Sequence, residues 1–241
     1  MIPIHKGIEP NGLAELRQDA NRKGLTQEEA YATLKGQLKD NVRSSLVAEQ
    51  GQLCAYCMCH IPRNDVDDGI AAITIEHFDP RNPADHHNTC QGLDYNNLLA
   101  VCNGNRARRE RHHHKNDLTC DAFRGNKEFK KLNPCISQTL ETIEYGADGT
   151  ITATDSDVHH DLNKVLNLNC PTSTLIAERK AVYDGLTSDM ANISLEDLQD
   201  YCASRLAVFE EETNPKTPFV GVIIWYLKTM LKSLSERQET T

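Results

Sequence analysis

The amino-acid sequence predicts an α+β protein in which a small metal-bound module lies between a helical N-terminal segment and a mostly helical C-terminal region. Before residue 50, apolar residues recur every four positions, as on one face of a helix. Cysteines, histidines and turn residues gather between Cys54 and Cys135, and helical patterns return later in the chain. We therefore predict three segments, residues 1–50, 51–135 and 136–241.

The composition is that of a globular protein. Of the 241 residues, 39% are hydrophobic and 25% are charged, which argues against a wholly disordered chain. There are 35 acidic and 26 basic residues, and the net charge is -9. Because nucleic acid attracts proteins mainly through its phosphates, an acidic chain that binds it needs a local basic patch or a basic partner. Residues 106–131 supply a patch, with nine basic and four acidic residues.

No segment predicts secretion or a membrane span. The opening residues, MIPIHKGIEP, lack the apolar core of a signal peptide. The longest apolar run, residues 219–227, is interrupted by Gly221 and is too short to cross a bilayer. Nine cysteines in such a chain favour metal-binding thiolates over disulfides. We predict a cytoplasmic protein that makes no membrane contact.

The N-terminal segment is predicted to be an extended arm, with room for one short helix, followed by a longer helix. Thr26 and Glu29 form a capping box, in which each side chain satisfies a free backbone N–H of the first turn. The helix that follows has one apolar stripe, formed by Leu34, Leu38, Val42 and Leu46. We expect this stripe to pack in the core.

The C-terminal region is predicted to contain a β-hairpin and then helices. Residues 140–154 alternate as strands do, and GADG provides the turn between them. Ser194 and Asp197 form the capping signal of one helix. Thr217-Pro218 predicts the start of the last helix, with proline in its first turn.

Four cysteines are predicted to hold a structural zinc ion. Cys54-Ala-Tyr-Cys57 places two thiolates where both can face one ion, and a closed zinc site needs four ligands. Cys102 follows an apolar run, and Cys120 lies 18 positions further on. The predicted Zn²⁺ ligands are Cys54, Cys57, Cys102 and Cys120. Competing ligands are Cys59, His60, Cys90, His112, His113 and His114; we expect Cys90, Cys135, Cys170 and Cys202 to be small buried residues.

A histidine near the end of a predicted strand marks a candidate reactive centre. The predicted frame consists of a strand, a second strand and a polar helical segment, at residues 73–78, 93–102 and 103–115. A histidine on a strand is usually a packing residue, but His77 directly follows Glu76, and the second strand leads into Cys102. Such a frame around one zinc ion would point His77 and a second metal ion at a common phosphate.

Several motifs resemble known nucleases. CAYC, IEHFDP, YNNLLAVC and CDAFRGNKEF resemble the HNH (ββα-metal) endonucleases. MIPIHKG, LVAEQGQLCAYC, LNP at 132–134 and VLNLNCP at 165–171 are similar to PtuB-like nuclease subunits of Septu and retron-associated antiphage systems. The resemblance covers most of the chain before residue 185. It implies a small zinc-bound ββα-metal (HNH) core in residues 51–135, with a C-terminal helical region that can bind a partner.

The resemblance also implies roles for single residues. His77 would be the general base that activates water, and Glu76 would ligate a catalytic divalent cation. Oxygen ligands favour Mg²⁺ as that cation. Asn97 would hold the loop and the histidine in place, with Asn96 as the alternative if the register shifts by one residue.

The last cation ligand departs from the family pattern. Asn105 stands where a second cysteine is expected, and Arg106 stands where the metal ligand is expected. Either Asn105 or Asn126 is then expected to complete the cation site. The two alternatives remain open at the level of the sequence.

The implied function is metal-dependent hydrolysis of phosphodiester bonds in DNA or structured RNA. The resemblance further implies an effector subunit of an antiphage defence complex, held by an ATPase partner of the PtuA type. A basic patch beside the reactive centre is compatible with phosphate contact. The alternative is a zinc-ribbon nucleic-acid-binding or scaffold module without catalytic turnover, in which Glu76 and His77 are structural.

Overall fold

The computed structural model describes residues 1–61, 73–81, 92–105 and 114–239. Within these ranges the chain has eight α-helices and two antiparallel sheets of two strands each, which confirms the predicted α+β class. The helices are α1 Leu13–Arg22, α2 Gln27–Ala32, α3 Gly36–Glu49, α4 Cys120–Arg124, α5 Ser156–His160, α6 Leu175–Met190, α7 Leu195–Glu211 and α8 Val220–Glu239. The strands are β1 Ile73–His77, β2 Leu98–Cys102, β3 Ile143–Tyr145 and β4 Ile151–Ala153.

The N-terminal segment begins with a non-helical arm and the short helix α1, as predicted, and continues with two helices where one was predicted. The predicted capping box is present at the start of α2: the Thr26 hydroxyl accepts the Glu29 N–H at 3.3 Å, and the Glu29 carboxylate accepts the Thr26 N–H at 2.9 Å. The prediction of one continuous helix after Thr26 is wrong. Gly36 has a φ of 56°, a left-handed conformation that an α-helix does not continue through. From that residue α3 begins, and it buries Val42 and Leu46.

The first sheet carries the candidate reactive centre. β1 and β2 pair in antiparallel fashion, with His77 opposite Leu98. The second strand is shorter than predicted, because it begins at Leu98 and not at residue 93. The Asp94 carboxylate accepts the N–H of Asn96 at 3.0 Å, and the resulting 3-10 turn replaces the expected extended backbone.

The helix predicted to follow β2 lies later in the chain than expected. Within the expected helical segment, residues 103–115, the stretch 106–113 lies outside the described residues. The described part begins with a turn, in which Gly104 and Asn105 have φ values of 61° and 73°. Two successive left-handed residues exclude a right-handed helix at that point. Two helices contact β2, namely α3 and, after the strand in the chain, α4.

The predicted hairpin between residues 140 and 154 is confirmed, with the chain reversing at Gly146–Gly149. A buried arginine from α6 holds it in place. The Nε–H of Arg179 donates to the Gly149 carbonyl at 2.7 Å, and a terminal N–H donates to the Leu168 carbonyl at 3.0 Å. The guanidinium thereby connects the hairpin, the following loop and α6.

Two helix starts were predicted in the C-terminal region, and the structure confirms one of them. The Ser194 hydroxyl caps α7 as predicted. The prediction that Pro218 lies in the first turn of the last helix is wrong, because α8 begins at Val220. Phe219, with a φ of 58°, donates its N–H to the Met58 carbonyl at 3.0 Å. This contact with the cysteine-rich segment holds the residue before α8 in a non-helical conformation.

One hydrophobic core joins the three segments of the chain. A single cluster of buried side chains includes residues of the N-terminal helices, the β1–β2 strand pair and the C-terminal helices. The backbone adds a further link, because the Cys120 N–H donates to the Leu166 carbonyl at 2.8 Å. Among the described helices, none has both the length and the apolar character needed to cross a membrane.

Replacement of Arg179 with alanine should destabilise the fold strongly. The change leaves buried carbonyl oxygens without a donor, and we expect the free energy of unfolding to fall by about 3 kcal/mol. Lys180→Ala, one position along α6, is the matched control. Its exposed ion pair with Asp184 should contribute less than about 1 kcal/mol. Urea unfolding followed by circular dichroism measures both values, and equal effects would contradict the role assigned to Arg179.

Candidate catalytic and metal site

A tight turn places the thiols of Cys54 and Cys57 on the same side of the chain. The Cys54 carbonyl accepts the Met58 N–H at 3.0 Å, and the Cys54 N–H donates to the Cys59 carbonyl at 2.9 Å. Met58 has a φ of 63°, which reverses the chain directly after Cys57. This backbone geometry aims the two thiols at the same point and keeps the turn buried.

The four predicted zinc ligands form one buried cluster. The sulfur atoms of Cys54, Cys57, Cys102 and Cys120 all lie within 4.8 Å of one another. The Cys57 and Cys102 sulfurs are 3.8 Å apart, and the Cys102 N–H donates to the Cys54 sulfur at 3.3 Å. A hydrogen bond from Cys120 lowers the pKa of Cys102 to about 6, which favours the thiolate that binds metal. Four thiols at this spacing can hold a structural metal such as zinc.

The competing ligands lie elsewhere or outside the described residues. Cys59 is buried beside the four thiols but does not belong to their cluster. The imidazole of His60 is exposed and pairs with the Gln52 side chain at 3.2 Å. His114 is exposed. Cys90, His112 and His113 lie outside the described residues. Of the cysteines expected to be small buried residues, Cys170 and Cys202 are buried and Cys135 is half-buried.

The imidazole of His77 is held in one orientation at the end of β1. Its Nε2 lies 2.9 Å from the Gly92 carbonyl oxygen, and its ring packs against Tyr31. A carbonyl only accepts, so Nε2 carries the proton of the neutral ring and Nδ1 keeps a lone pair. Burial lowers the pKa of His77 to about 4, so the ring is neutral at pH 7. The geometry leaves Nδ1 able to accept a proton.

Glu76 is a buried carboxyl group with a raised pKa. One oxygen accepts hydrogen bonds from the Tyr56 hydroxyl, at 3.2 Å, and from Arg124; the other accepts the His77 N–H at 3.2 Å. Burial and the neighbouring charge of Asp121 raise the pKa of Glu76 to about 8, whereas Arg124 opposes the shift. Arg124 brings α4, which also carries Asp121, to Glu76, and the two acidic side chains interact electrostatically. We call Glu76 and Asp121 the acidic pair.

Asp121 was not among the residues predicted from the sequence. Asp121 directly follows Cys120 at the start of α4, so the position of the fourth thiol also places Asp121 near β1. The two asparagines expected in this role lie differently. The Asn105 side chain donates to the Asp117 carbonyl at 2.9 Å and holds a turn, and Asn126 is exposed. The signal for Asp121 was an acidic residue directly after the last cysteine of the cluster.

Arg124, also missed, is the most buried charged side chain of the site. It is 1% exposed and pairs with Glu76. Its guanidinium also donates to the carbonyls of His77, at 3.0 Å, and Phe78, while Nε–H donates to the Lys127 carbonyl at 2.9 Å. The arginine thus joins the end of β1 to α4 and fixes one oxygen of Glu76.

Asn97 holds the loop that follows β1. Its side-chain oxygen accepts the Asp79 N–H at 2.7 Å, and its side-chain N–H donates to the Asp79 carbonyl at 3.1 Å. The Asn97 carbonyl also accepts the Phe78 N–H at 2.9 Å. Asn96, the alternative by register, is exposed. These hydrogen bonds are the ones that the predicted loop-holding role of Asn97 requires.

Comparison with known proteins supplies no family for the chain. No protein family and no curated protein matches its sequence. Its function is therefore inferred from the geometry of the site together with the motifs of the sequence.

Loss of one cluster thiol should release the metal and destabilise the fold. We expect Cys120→Ser to lower bound zinc from one ion per chain to none and the melting temperature by about 10 °C, because a structural ion contributes folding free energy directly. Elemental analysis and thermal melting measure the two effects. Cys59→Ala, beside the cluster, is the control and should retain the ion. Zinc loss in Cys59→Ala with retention in Cys120→Ser would reassign the fourth ligand.

Proposed function

We propose that this protein is a metal-dependent endonuclease of the HNH type, which hydrolyses phosphodiester bonds in DNA or structured RNA. One observation carries the proposal: His77, whose Nδ1 has no hydrogen-bond partner among the described residues, lies beside the acidic pair, on a strand pair whose far end meets a four-thiol cluster. Phosphodiester hydrolysis needs a base for water and positive charge near the phosphate. The zinc-bound ββα-metal core implied by the sequence motifs has this composition.

His77 would remove the proton from the attacking water. Its ring is neutral at pH 7, and the hydrogen bond from Nε2 to Gly92 directs Nδ1 away from that carbonyl. Asn97 supports this orientation indirectly, because its two hydrogen bonds fix the Asp79 backbone immediately after the strand. A base held in one orientation approaches the water without a further loss of rotational freedom.

The acidic pair fits a hard divalent cation, which we propose to be Mg²⁺. Carboxylate oxygens are the ligands that Mg²⁺ prefers, whereas four thiolates suit zinc. Burial and then repulsion from Asp121 raise the pKa of Glu76, and a cation between the two side chains would relieve the repulsion. Asp121 is half-buried, so solvent and substrate can reach it. When bound, the cation would stabilise the negative charge that develops on the phosphate.

The substrate and partner assignments depend on charge and on the sequence resemblance. Lys115, Lys127, Lys130 and Lys131 follow the first strand pair in the chain and belong to the basic patch, most of whose arginines lie outside the described residues. Such a patch would contact phosphates without reading the bases. The similarity to PtuB-like subunits supports a role as the effector of an antiphage defence complex with an ATPase partner of the PtuA type.

A second candidate is a zinc-stabilised binding or scaffold module without turnover. The ion pair between Arg124 and Glu76 favours it, because the buried carboxylate already has a positive partner without any cation. In that case the acidic pair and His77 would serve only to join β1 to α4. Retained nucleic-acid binding without Mg²⁺-stimulated cleavage would identify this module.

Cleavage of labelled DNA and RNA with Mg²⁺ or EDTA tests the enzyme directly. His77→Ala should lower kcat/KM by about 100- to 10,000-fold, the usual contribution of a general base. Asp121→Asn should lower it by about 100-fold or more, because the cation loses a charged ligand. Both variants should retain zinc, since neither changes the cluster. The assay should include the ATPase partner as well as the chain alone.

Asn126→Ala is the matched control for Asp121→Asn. The exposed asparagine should be dispensable, and its loss should leave cleavage within about twofold of wild type. Loss of cleavage in Asn126→Ala but not in Asp121→Asn would assign the cation ligand to Asn126 instead of Asp121. Equal activity in wild type and His77→Ala would contradict the assignment of the base.

A further inference from the structure

One side of the site around His77 is formed by α2, which lies outside the β1–β2 strand pair and α4. Tyr31, near the end of α2, packs against His77 with ring centroids 4.5 Å apart and ring planes 85° apart. The same helix supports His77 indirectly, since the Gln27 side chain accepts the N–H of Gly92, whose carbonyl faces the imidazole. No side chain fits at Gly92, because a Cβ would overlap the Gln27 backbone. The N-terminal helices are therefore built into the surroundings of the base.

Three cationic side chains lie around Tyr31. The guanidinium carbon of Arg81 is 4.6 Å from the centre of the tyrosine ring, and Nζ of Lys39 is 5.6 Å from it. Arg43 acts on the same phenol electrostatically. Lys39 and Arg43 are four positions apart on α3, so they project from the same face of the helix. We call Lys39, Arg43 and Arg81 the basic rim.

Tyr31 links the basic rim to the acidic pair, because its ring contacts His77, which directly follows Glu76. Burial raises the pKa of Tyr31, and Arg81 and Arg43 oppose this shift. Asp121 and Glu76 act on the same phenol in the raising direction. Both sets of charges are therefore within electrostatic range of one hydroxyl group. An anion placed there would meet the basic rim and any cation held by the acidic pair.

Stability of the fold does not account for Lys39 and Arg43. Lys39 is half-buried, and in the described part of the chain no carboxylate lies within ion-pair distance of it. Arg43 pairs with Asp40 at 2.8 Å, a surface contact of the kind that contributes little. Like charges four positions apart on a helix repel each other. Two like charges that share one helix face in this way can both contact a single anionic ligand.

We propose that Lys39, Arg43 and Arg81 form a phosphate-binding site that positions the sugar-phosphate backbone of the substrate beside His77. This inference rests on the proposed nuclease function and names the part of the substrate that the N-terminal helices bind. The site holds phosphates and reads no bases, so it confers affinity without sequence preference. Its cations bind by charge, and salt therefore weakens the contact.

Binding measured without cleavage tests the site. Fluorescence anisotropy with His77→Ala protein follows a labelled DNA duplex and a labelled RNA hairpin across a range of salt concentrations. Adding Lys39→Gln and Arg43→Gln should weaken binding about tenfold or more at moderate salt, for all sequences alike. The slope of log affinity against log salt should fall by about 0.9 per lost contact on duplex DNA. The two probes show whether DNA, RNA or both supply the phosphates.

Two further variants separate charge from folding. Lys232→Gln removes one positive charge from α8, far along the chain, and should leave affinity and slope unchanged. Lys39→Arg keeps the charge and should restore binding relative to Lys39→Gln. An unchanged affinity and slope in the double variant, with zinc content and melting temperature preserved, would overturn the phosphate site. So would failure of the parent protein to bind either probe.

The two proposals fail in distinguishable ways. If wild-type protein cleaves nucleic acid and the rim variants bind it normally, the phosphate site is wrong and the nuclease assignment stands. If the rim variants lose binding but wild-type protein never cleaves, the phosphate site stands and the nuclease assignment is wrong. In an active enzyme, the rim variants should raise KM more than they lower kcat, because the contact is made before the chemical step.

Discussion

The site depends on the convergence of Cys54, Cys57, Cys102 and Cys120 in one buried cluster. The cluster joins a tight turn, the end of β2 and the start of α4, which are distant in sequence. α4 has only five residues, too few to be stable as an isolated helix. Its position next to β1 therefore depends on tertiary contacts. The Cys120 thiol, at the first residue of the helix, makes one of them by joining the cluster. Since Asp121 follows that cysteine, the cluster also places a carboxylate beside Glu76.

Electrostatic balance around Glu76 is the second constraint. A buried carboxylate next to another carboxylate is costly unless positive charge is near. Arg124 supplies part of that charge from α4 and binds one oxygen of Glu76. It also donates to the His77 carbonyl at 3.0 Å, so the same guanidinium orients the strand that carries His77. The cysteine cluster, the arginine and the candidate catalytic groups thus form one connected unit.

Local patterns predicted much of the fold and part of the site. The strand before Asp79, the hairpin and the paired cysteines follow from alternation, turn residues and spacing, which act over a few positions. The break at Gly36 comes from a left-handed glycine that the apolar periodicity does not reveal. The late position of α4 depends on contacts between distant segments. Asp121 was missed for the same reason: only the folded chain shows that Cys120 brings it to Glu76. Tyr31 likewise reaches His77 from a separate helix, which no motif in the sequence indicates.

The central claim is that one cluster holds zinc for structure while Glu76 and Asp121 hold a different cation for chemistry. Anomalous X-ray diffraction from crystals of His77→Ala protein soaked in Mn²⁺, a stand-in for Mg²⁺, tests it most directly. The account predicts a zinc peak among the four cysteines and a manganese peak between the two carboxylates, within reach of position 77. A cluster with zinc and no manganese at the carboxylates would contradict the catalytic site and favour a purely structural module.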